Sequence, residues 1–178
     1  MRIKEIKVKS ILTRSRIPGV LYCLNPYTGC QHGCKYCYAR FMKKFTGHLE
    51  KWGDFVDVKI NAPAVLEKQL KTAKKEFISI STVTDPYQPL ERIYQITRKC
   101  LEVLLKYQFP VSILTKSPLV LRDIDLLSQF HDSEVGVTIT TGNDAIRKIF
   151  EPRAPSINQR IEILKGFHNQ GVKTYAFI

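Results

Sequence analysis

From about residue 77 onward the sequence alternates short aliphatic runs with longer stretches of helical periodicity, and few folds admit that alternation. The runs are Phe77–Ser81, Val111–Thr115, Val135–Ile139 and Thr174–Ile178. They are nearly continuous in apolar or β-branched residues, as expected for strands buried on both faces. The segments between them read as helices. Asn61 is placed to cap one with Pro63 in its first turn, and Ala62, Leu66, Leu70 and Ala73 then share a face. In the next, Ile93, Ile96, Cys100, Leu104 and Tyr107 line up, and the helix must stop before Pro110. Ser117 followed by Pro118 predicts another start, with Val120, Ile124 and Leu127 on the inner face. Ser156 and Gln159 form a capping box, Ile157, Ile161 and Leu164 follow at helical spacing, and Gly171 supplies the stop. Strands alternating with helices predict βαβ units, a parallel sheet and right-handed crossovers, hence an α/β protein. A further strand is expected near Val20–Leu24, and 178 residues without a linker or repeat fit one domain. Thr174–Ile178 reads as a buried strand with nothing after it to cover its face, which predicts a truncated chain.

The residues that carry chemistry precede the alternation. Cys30, Cys34 and Cys37 follow the spacing C-x3-C-x2-C within eight residues. Three thiolates on one short loop can hold three irons of a cubane, and Gly29 and Gly33 let the backbone wrap tightly around it. No cysteine serves the fourth iron, which leaves it open to the amino and carboxylate groups of a methionine moiety. Two other readings stand beside this one. Zinc in a structural site takes four protein ligands, and His32, Cys23 or His48 could be the fourth in a nucleic-acid-binding module without catalysis. Alternatively, the three cysteines are buried and bind nothing. Five cysteines in all make a poor disulfide framework and fit a reducing compartment.

The N-terminal MRIKEIKVKS lacks the apolar core of a signal peptide, and no run approaches the roughly 20 residues that span a bilayer. A cytoplasmic location with no membrane partner is expected. An excess of 28 basic over 16 acidic residues gives a net charge of +12, which favours DNA or RNA as a partner through phosphate neutralisation. A lysine-rich surface that only confers solubility would have the same composition. Tyr22, Tyr27, Tyr38 and Trp52 lie near Lys35, Arg40, Lys43 and Lys44 in the sequence and could stack bases beside phosphates, although most aromatics in such a chain are core.

Four segments together resemble a known family. They are Gly29-Cys-Gln-His-Gly-Cys-Lys-Tyr-Cys-Tyr-Ala-Arg40, Thr82-Val-Thr-Asp-Pro-Tyr-Gln-Pro-Leu-Glu91, Leu114-Thr-Lys-Ser117, and Phe150-Glu-Pro-Arg153 followed by Arg160. In this order they are similar to the radical S-adenosylmethionine superfamily, and more narrowly to its spore photoproduct lyase-like branch (DNA repair photolyase-like). The resemblance implies a partial TIM-type (β/α)6 barrel, open at one side because the chain stops at the fifth strand. Residues 1–178 would be the core domain, with residues 1–20 as an N-terminal extension. It further implies a 4Fe–4S cluster on Cys30, Cys34 and Cys37, reductive cleavage of S-adenosyl-L-methionine to a 5′-deoxyadenosyl radical, and an electron donor of flavodoxin or ferredoxin type. A lyase-like reaction on nucleic acid, as in DNA repair, is the implied activity.

The same resemblance assigns cofactor contacts. Tyr36 would lie beside the adenine, with Tyr38 next to it. Thr82, Thr84 and Asp85 fall at the end of the second strand, where barrel sites are built. Lys116 would meet a cofactor carboxylate or hydroxyl, and Thr138, with Thr140 near it, would face the cofactor. Glu151 and Arg153 either pair with each other or meet substrate. One position departs from the branch. Thr82 aligns with the cysteine that gives a hydrogen atom to the product radical in spore photoproduct lyase, and a hydroxyl O–H bond is too strong for that role. Cys100 and Cys23 read as core residues. Repair of thymine dimers by the same route is therefore not expected.

Overall fold

A computed structural model describes residues 1–178. The chain begins with short strands, β1 (Arg2–Ile6), β2 (Leu12–Arg14), β3 (Tyr22–Leu24) and β4 (Tyr27–Thr28). After the cysteine loop come α1 (Lys43–Thr46), β5 (Phe55–Lys59) and α2 (Ala62–Leu70). The regular part follows: β6 (Ile78–Ile80), α3 (Glu91–Tyr94), α4 (Ile96–Tyr107), β7 (Val111–Thr115), α5 (Ile124–Leu127), β8 (Ser133–Thr138), α6 (Asp144–Phe150), α7 (Ile157–His168) and β9 (Lys173–Phe177).

β3, β6, β7, β8 and β9 lie side by side in that order, and every neighbouring pair is parallel. This is the α/β partial TIM-type barrel that the alternation and the motifs predict. β2 adds antiparallel to β3 at one edge, and β9 forms the other. A second sheet of order β1-β5-β4 stands apart, so residues 1–20 contribute one strand to each sheet. The barrel strands bury Leu24, Ile78, Ile80, Val111, Ile113, Val135 and Val137 completely. α2 packs on α4, and Leu66, Leu70, Leu101 and Leu104 all join the buried core. Burying each such leucine is worth about 1.5–3 kcal/mol. No helix is long and apolar enough to cross a membrane.

Several local expectations change, each for a physical reason. Asn61 does not cap α2. Its side chain instead receives the Val8 N–H and donates to the Val8 carbonyl, both at 2.9 Å, pinning the segment after β1. The single helix expected over Ile93–Tyr107 is two, broken at Gln95 with φ +52°. The buried Glu91 carboxylate causes the break by accepting the N–H groups of Thr97 at 3.0 Å and Arg98 at 3.1 Å, in the manner of a cap. Ile93 is consequently 75% exposed. Ser117 does receive the Leu119 N–H at 3.3 Å, but the first turns from Pro118 are 3-10 rather than α. The capping box of Ser156 and Gln159 forms, yet α7 turns Ile157, Arg160, Ile163 and Phe167 inward, leaving Ile161 exposed.

Candidate active site

The cysteine loop leaves β4 and is fastened from three sides. Thr84 Oγ1 donates to the Gly29 carbonyl at 2.6 Å, and the Gln31 N–H donates to Gln88 Oε1 at 2.9 Å. Gln31 Oε1 in turn receives the Leu90 N–H at 2.6 Å, so the loop after β6 grips the first half of the motif. The Lys35 N–H donates to the Phe150 carbonyl at 2.7 Å, attaching the second half to the end of α6. From below, β5 and the turn before it press close. Gly29 has φ +88°, and a Cβ there would lie 2.4 Å from the Phe55 carbonyl. Gly33 has φ +61° and meets Gly53, where a Cβ would stand 2.9 Å from the Gly33 Cα. Gly29 is thus required by both conformation and space, Gly33 by its conformation, and Gly53 by its closeness to Gly33.

Cys30 and Cys34 are buried, Cys37 is half-buried, and all three thiols are free. Burial pushes the Cys30 thiol well above its usual range and the Cys34 thiol up to about 11. Burial raises Cys37 as well, against the pull of the Ala39 N–H, the charges of Lys116 and Arg40, and the Trp52 indole. Occupation by metal would release these protons.

The three thiols open into one cavity of about 820 Å³ at the C-terminal ends of the barrel strands. The same cavity is lined by Tyr36, Tyr38, Thr82, Thr84, Asp85, Lys116 and Thr138, whereas Thr140, Glu151 and Arg153 do not line it. Their partners distinguish them. Asp85 is saturated: it accepts from Thr115 Oγ1 at 2.6 Å and from the N–H groups of Tyr87 and Lys116 at 2.9 Å. Although burial alone would raise it, His32, Thr115 and the Lys116 N–H hold the Asp85 carboxyl far below the usual carboxylate range. Thr84 is committed to Gly29, and Thr82 Oγ1 receives Asn25 Nδ2 at 3.3 Å. Lys116 Nζ forms no ion pair and lies 5.8 Å from the centre of the Tyr36 ring. The Tyr36 hydroxyl donates to Glu151, and the Tyr38 hydroxyl donates to the Thr82 carbonyl.

Glu151 and Arg153 do not pair with each other. Glu151 binds Arg160, both fully buried, and also receives Thr140 Oγ1 at 3.1 Å. Arg153 reaches the other way, to the Gly53 carbonyl at 2.6 Å and Asp54 at 2.7 Å. Tyr22 and Tyr27 are buried in the core and cannot stack bases, whereas Tyr38 is 66% exposed beside Phe41 and Phe45.

Sequence reasoning passed over Ser81, whose φ of +68° is rare for a residue with a side chain. Three buried polar atoms on the cavity wall have no hydrogen-bond partner: Ser81 Oγ, His32 Nε2 and Trp52 Nε1. His32 Nε2 stands 3.2 Å from Asp85 Oδ2 without the alignment of a hydrogen bond. Only the strain at Ser81 has a sequence correlate, its place at the end of a barrel strand.

The donor set suits an iron–sulfur cubane better than one ion. No three His, Cys, Asp or Glu groups converge closely enough to hold a single metal ion, as mononuclear zinc would require. The candidates for a fourth ligand are engaged elsewhere. His48 lies between Asp57 at 3.0 Å and Glu50 at 3.1 Å, Cys23 is buried in β3, and His32 faces Asp85. Three thiols spread along one loop and facing a large cavity match the ligand pattern of a cluster with one corner turned to a second ligand.

Comparison with known proteins agrees with this geometry. The family model for the Radical SAM superfamily matches residues 24–178. An uncharacterized protein of Methanocaldococcus jannaschii is 43% identical over 178 residues, spanning 100% of this chain and 67% of its own length. A protein of Pseudomonas phage M6 named radical SAM Nalpha-GlyT isomerase is 26% identical over 151 residues, which are 84% of this chain and 31% of its own. A spore photoproduct lyase variant with bound AdoMet and dinucleoside spore photoproduct superposes with a TM-score of 0.73 at 16% identity. That match covers 99% of this chain and 50% of the lyase, and at such identity the likeness is one of fold. This chain spans only part of each of these proteins.

Proposed function

The chain belongs to the radical SAM superfamily, and from that premise we propose that it is an S-adenosylmethionine-cleaving enzyme whose Cys30, Cys34 and Cys37 hold a 4Fe–4S cluster. The observation that carries this reading is the opening of three free thiols into the cavity formed by the polar ends of β6, β7 and β8. When bound, the cluster and S-adenosylmethionine supply reductive C–S cleavage to a 5′-deoxyadenosyl radical that takes a hydrogen atom from substrate.

The protein's own residues bind, orient and exclude water. Tyr36, fixed by Glu151, and Tyr38, fixed by the Thr82 carbonyl, offer aromatic faces to the adenine. Lys116, the unpaired cation among them, meets a cofactor carboxylate. The hydroxyls of Thr82 and Thr138 serve the ribose and the amino-acid end. Asp85 acts differently from its neighbours: its oxygens are spent on protein donors, so it positions the rim rather than touching the cofactor.

Nucleic acid is the substrate class that the charge of +12 supports, together with the dinucleoside held by the spore photoproduct lyase of like fold. A one-electron donor of flavodoxin or ferredoxin type completes the reading. No thiol besides the three of the loop lines the cavity, since Cys23 and Cys100 are buried in β3 and α4. This chain accordingly supports hydrogen abstraction in a lyase-like or repair-like setting, with no further thiol of its own on the cavity wall.

Anaerobic reconstitution with iron and sulfide tests this directly. The expected product is a brown protein that forms 5′-deoxyadenosine when dithionite and S-adenosylmethionine are added. Cys34→Ala should abolish iron uptake, while Cys100→Ala retains it. Stoichiometric zinc with no iron uptake would overturn the proposal.

A further inference from the structure

Trp52 is the sole tryptophan of the chain, and its indole N–H is a buried donor with no acceptor. An unpaired buried N–H costs about 1–3 kcal/mol, so a protein that keeps one has a use for it. The indole lines the cavity together with the three cysteines. It is not free to seek an acceptor elsewhere. Its ring meets Phe55 edge-on at 5.7 Å, and Phe55 is itself stacked on His48 at 4.0 Å. His48 is held on both sides by Glu50 and Asp57. The next residue, Gly53, is pressed against Gly33 of the cysteine loop, and its carbonyl is bound by Arg153. The indole is therefore locked to the loop that carries the thiols.

The acceptors that share this wall with the donor are the three cysteine sulfurs. A protonated thiol is a poor acceptor. A thiolate bound to iron is a far better acceptor.

Resting on the cluster assignment above, we infer that Trp52 donates its indole N–H to a cysteine sulfur of the bound cluster and thereby raises the cluster's reduction potential. The direction follows from charge. Reduction adds one electron and no proton, and the indole keeps its hydrogen in both states. A donor aimed at sulfur stabilises the more negative, reduced state. Trp52 would thus ease electron entry from the physiological donor at a cost in driving force for sulfonium cleavage.

Because there is one tryptophan, growth of a tryptophan auxotroph on 3-benzothienylalanine replaces residue 52 alone, keeping the ring shape and removing the N–H. This chain, Trp52→Phe and the wild type are reconstituted anaerobically. Their midpoint potentials are then read by electron paramagnetic resonance without S-adenosylmethionine. Both altered chains should be harder to reduce than wild type by about tenfold in the equilibrium constant, which is about 59 mV for a one-electron couple. Iron and sulfide content should not change. A benzothienyl chain with the wild-type potential overturns the inference and leaves the cluster assignment standing. So does an unmoved potential with weakened S-adenosylmethionine binding, which would assign the N–H to that ligand instead. If Trp52→Phe fails to fold, the benzothienyl chain decides alone. A wild-type chain that takes up no cluster overturns both readings.

Discussion

Asp85 is buried and accepts from Thr115, Tyr87 and Lys116 while His32 stands beside it, so one carboxylate joins the ends of β6 and β7 to the cysteine loop. Its negative charge is what these donors are arranged around. Asp85→Asn keeps the shape but turns an N–H2 toward at least one of them, and an unsatisfied buried donor costs about 1–3 kcal/mol. The pH dependence has a definite sign. A carboxyl whose pKa is lower in the folded chain than in the unfolded one adds stability above the unfolded value, about 3.9 for aspartate. That contribution is lost as the pH falls toward the lower folded value. Urea unfolding should therefore show a constant gap between wild type and Asp85→Asn from pH 7 to about pH 4, narrowing below it. A gap that widens in acid would mean that the carboxyl is not held ionised. Ser81 illustrates a second use of single residues, since its left-handed backbone and unpartnered hydroxyl are tolerated on the cavity wall.

The connection from α6 to α7 shows how elements, rather than single residues, hold the site. Glu151 closes α6, and Arg160 lies in the second turn of α7. Their ion pair is fully buried, with Arg160 also donating to the Thr138 carbonyl at 2.8 Å and the Pro155 carbonyl at 2.9 Å. Through Tyr36 the pair reaches the cysteine loop. Removing one member strands a buried charge, so Glu151→Ala should lose about 3–5 kcal/mol in denaturant unfolding. Glu151→Leu combined with Arg160→Met should recover most of that loss, because the double variant buries no charge. Recovery of stability without recovery of Tyr36 placement is the expected split, read as normal unfolding with weakened S-adenosylmethionine binding. This pair also marks where sequence reasoning stops. The strands from Phe77 to Thr138 were legible because burial on both faces leaves a nearly unbroken apolar run, whereas β9, expected to be buried, is the sheet's edge and has no buried residue. β1 and β5 were not, since they form a separate small sheet in which β1 carries Lys4 and Glu5. Helical spacing predicted an aliphatic face for α7, but a buried arginine took a place on it once its partner, nine residues earlier, was supplied by the fold. The break at Gln95 escaped for the same reason, as Glu91 acts as cap only when the chain turns back on it. The site residues were legible as motifs, whereas their division into saturated and free groups depends on contacts between segments far apart in sequence.

At the scale of the molecule, the cavity wall passes through Tyr38 into a stretch of the chain rich in basic and aromatic residues. Tyr38, Phe41 and Phe45 are exposed just after the third cysteine, among Lys35, Arg40, Lys43 and Lys44. Several other lysines are already neutralised locally, as Lys106 is by Glu67 at 2.7 Å and Lys173 by Asp132 at 2.8 Å. The net charge is therefore a poor guide to how many phosphates the protein can contact, and the mouth of the cavity is a better one. If a duplex or strand approaches there, about four phosphates are neutralised, each adding about 0.9 to the slope of log affinity against log salt for duplex DNA. Affinity should then fall by about a hundredfold between 50 and 200 mM salt. Lys43→Glu with Lys44→Glu should reduce the slope by about two, because each removes one phosphate contact. Lys106→Glu should leave it unchanged, since that ammonium is already spent on Glu67. Fluorescence anisotropy of a labelled oligonucleotide across a salt series separates these cases. Equal slopes for all three proteins would mean that the excess charge binds polyanions diffusely, and that the aromatic shelf beside the cysteines does not guide nucleic acid to the cavity.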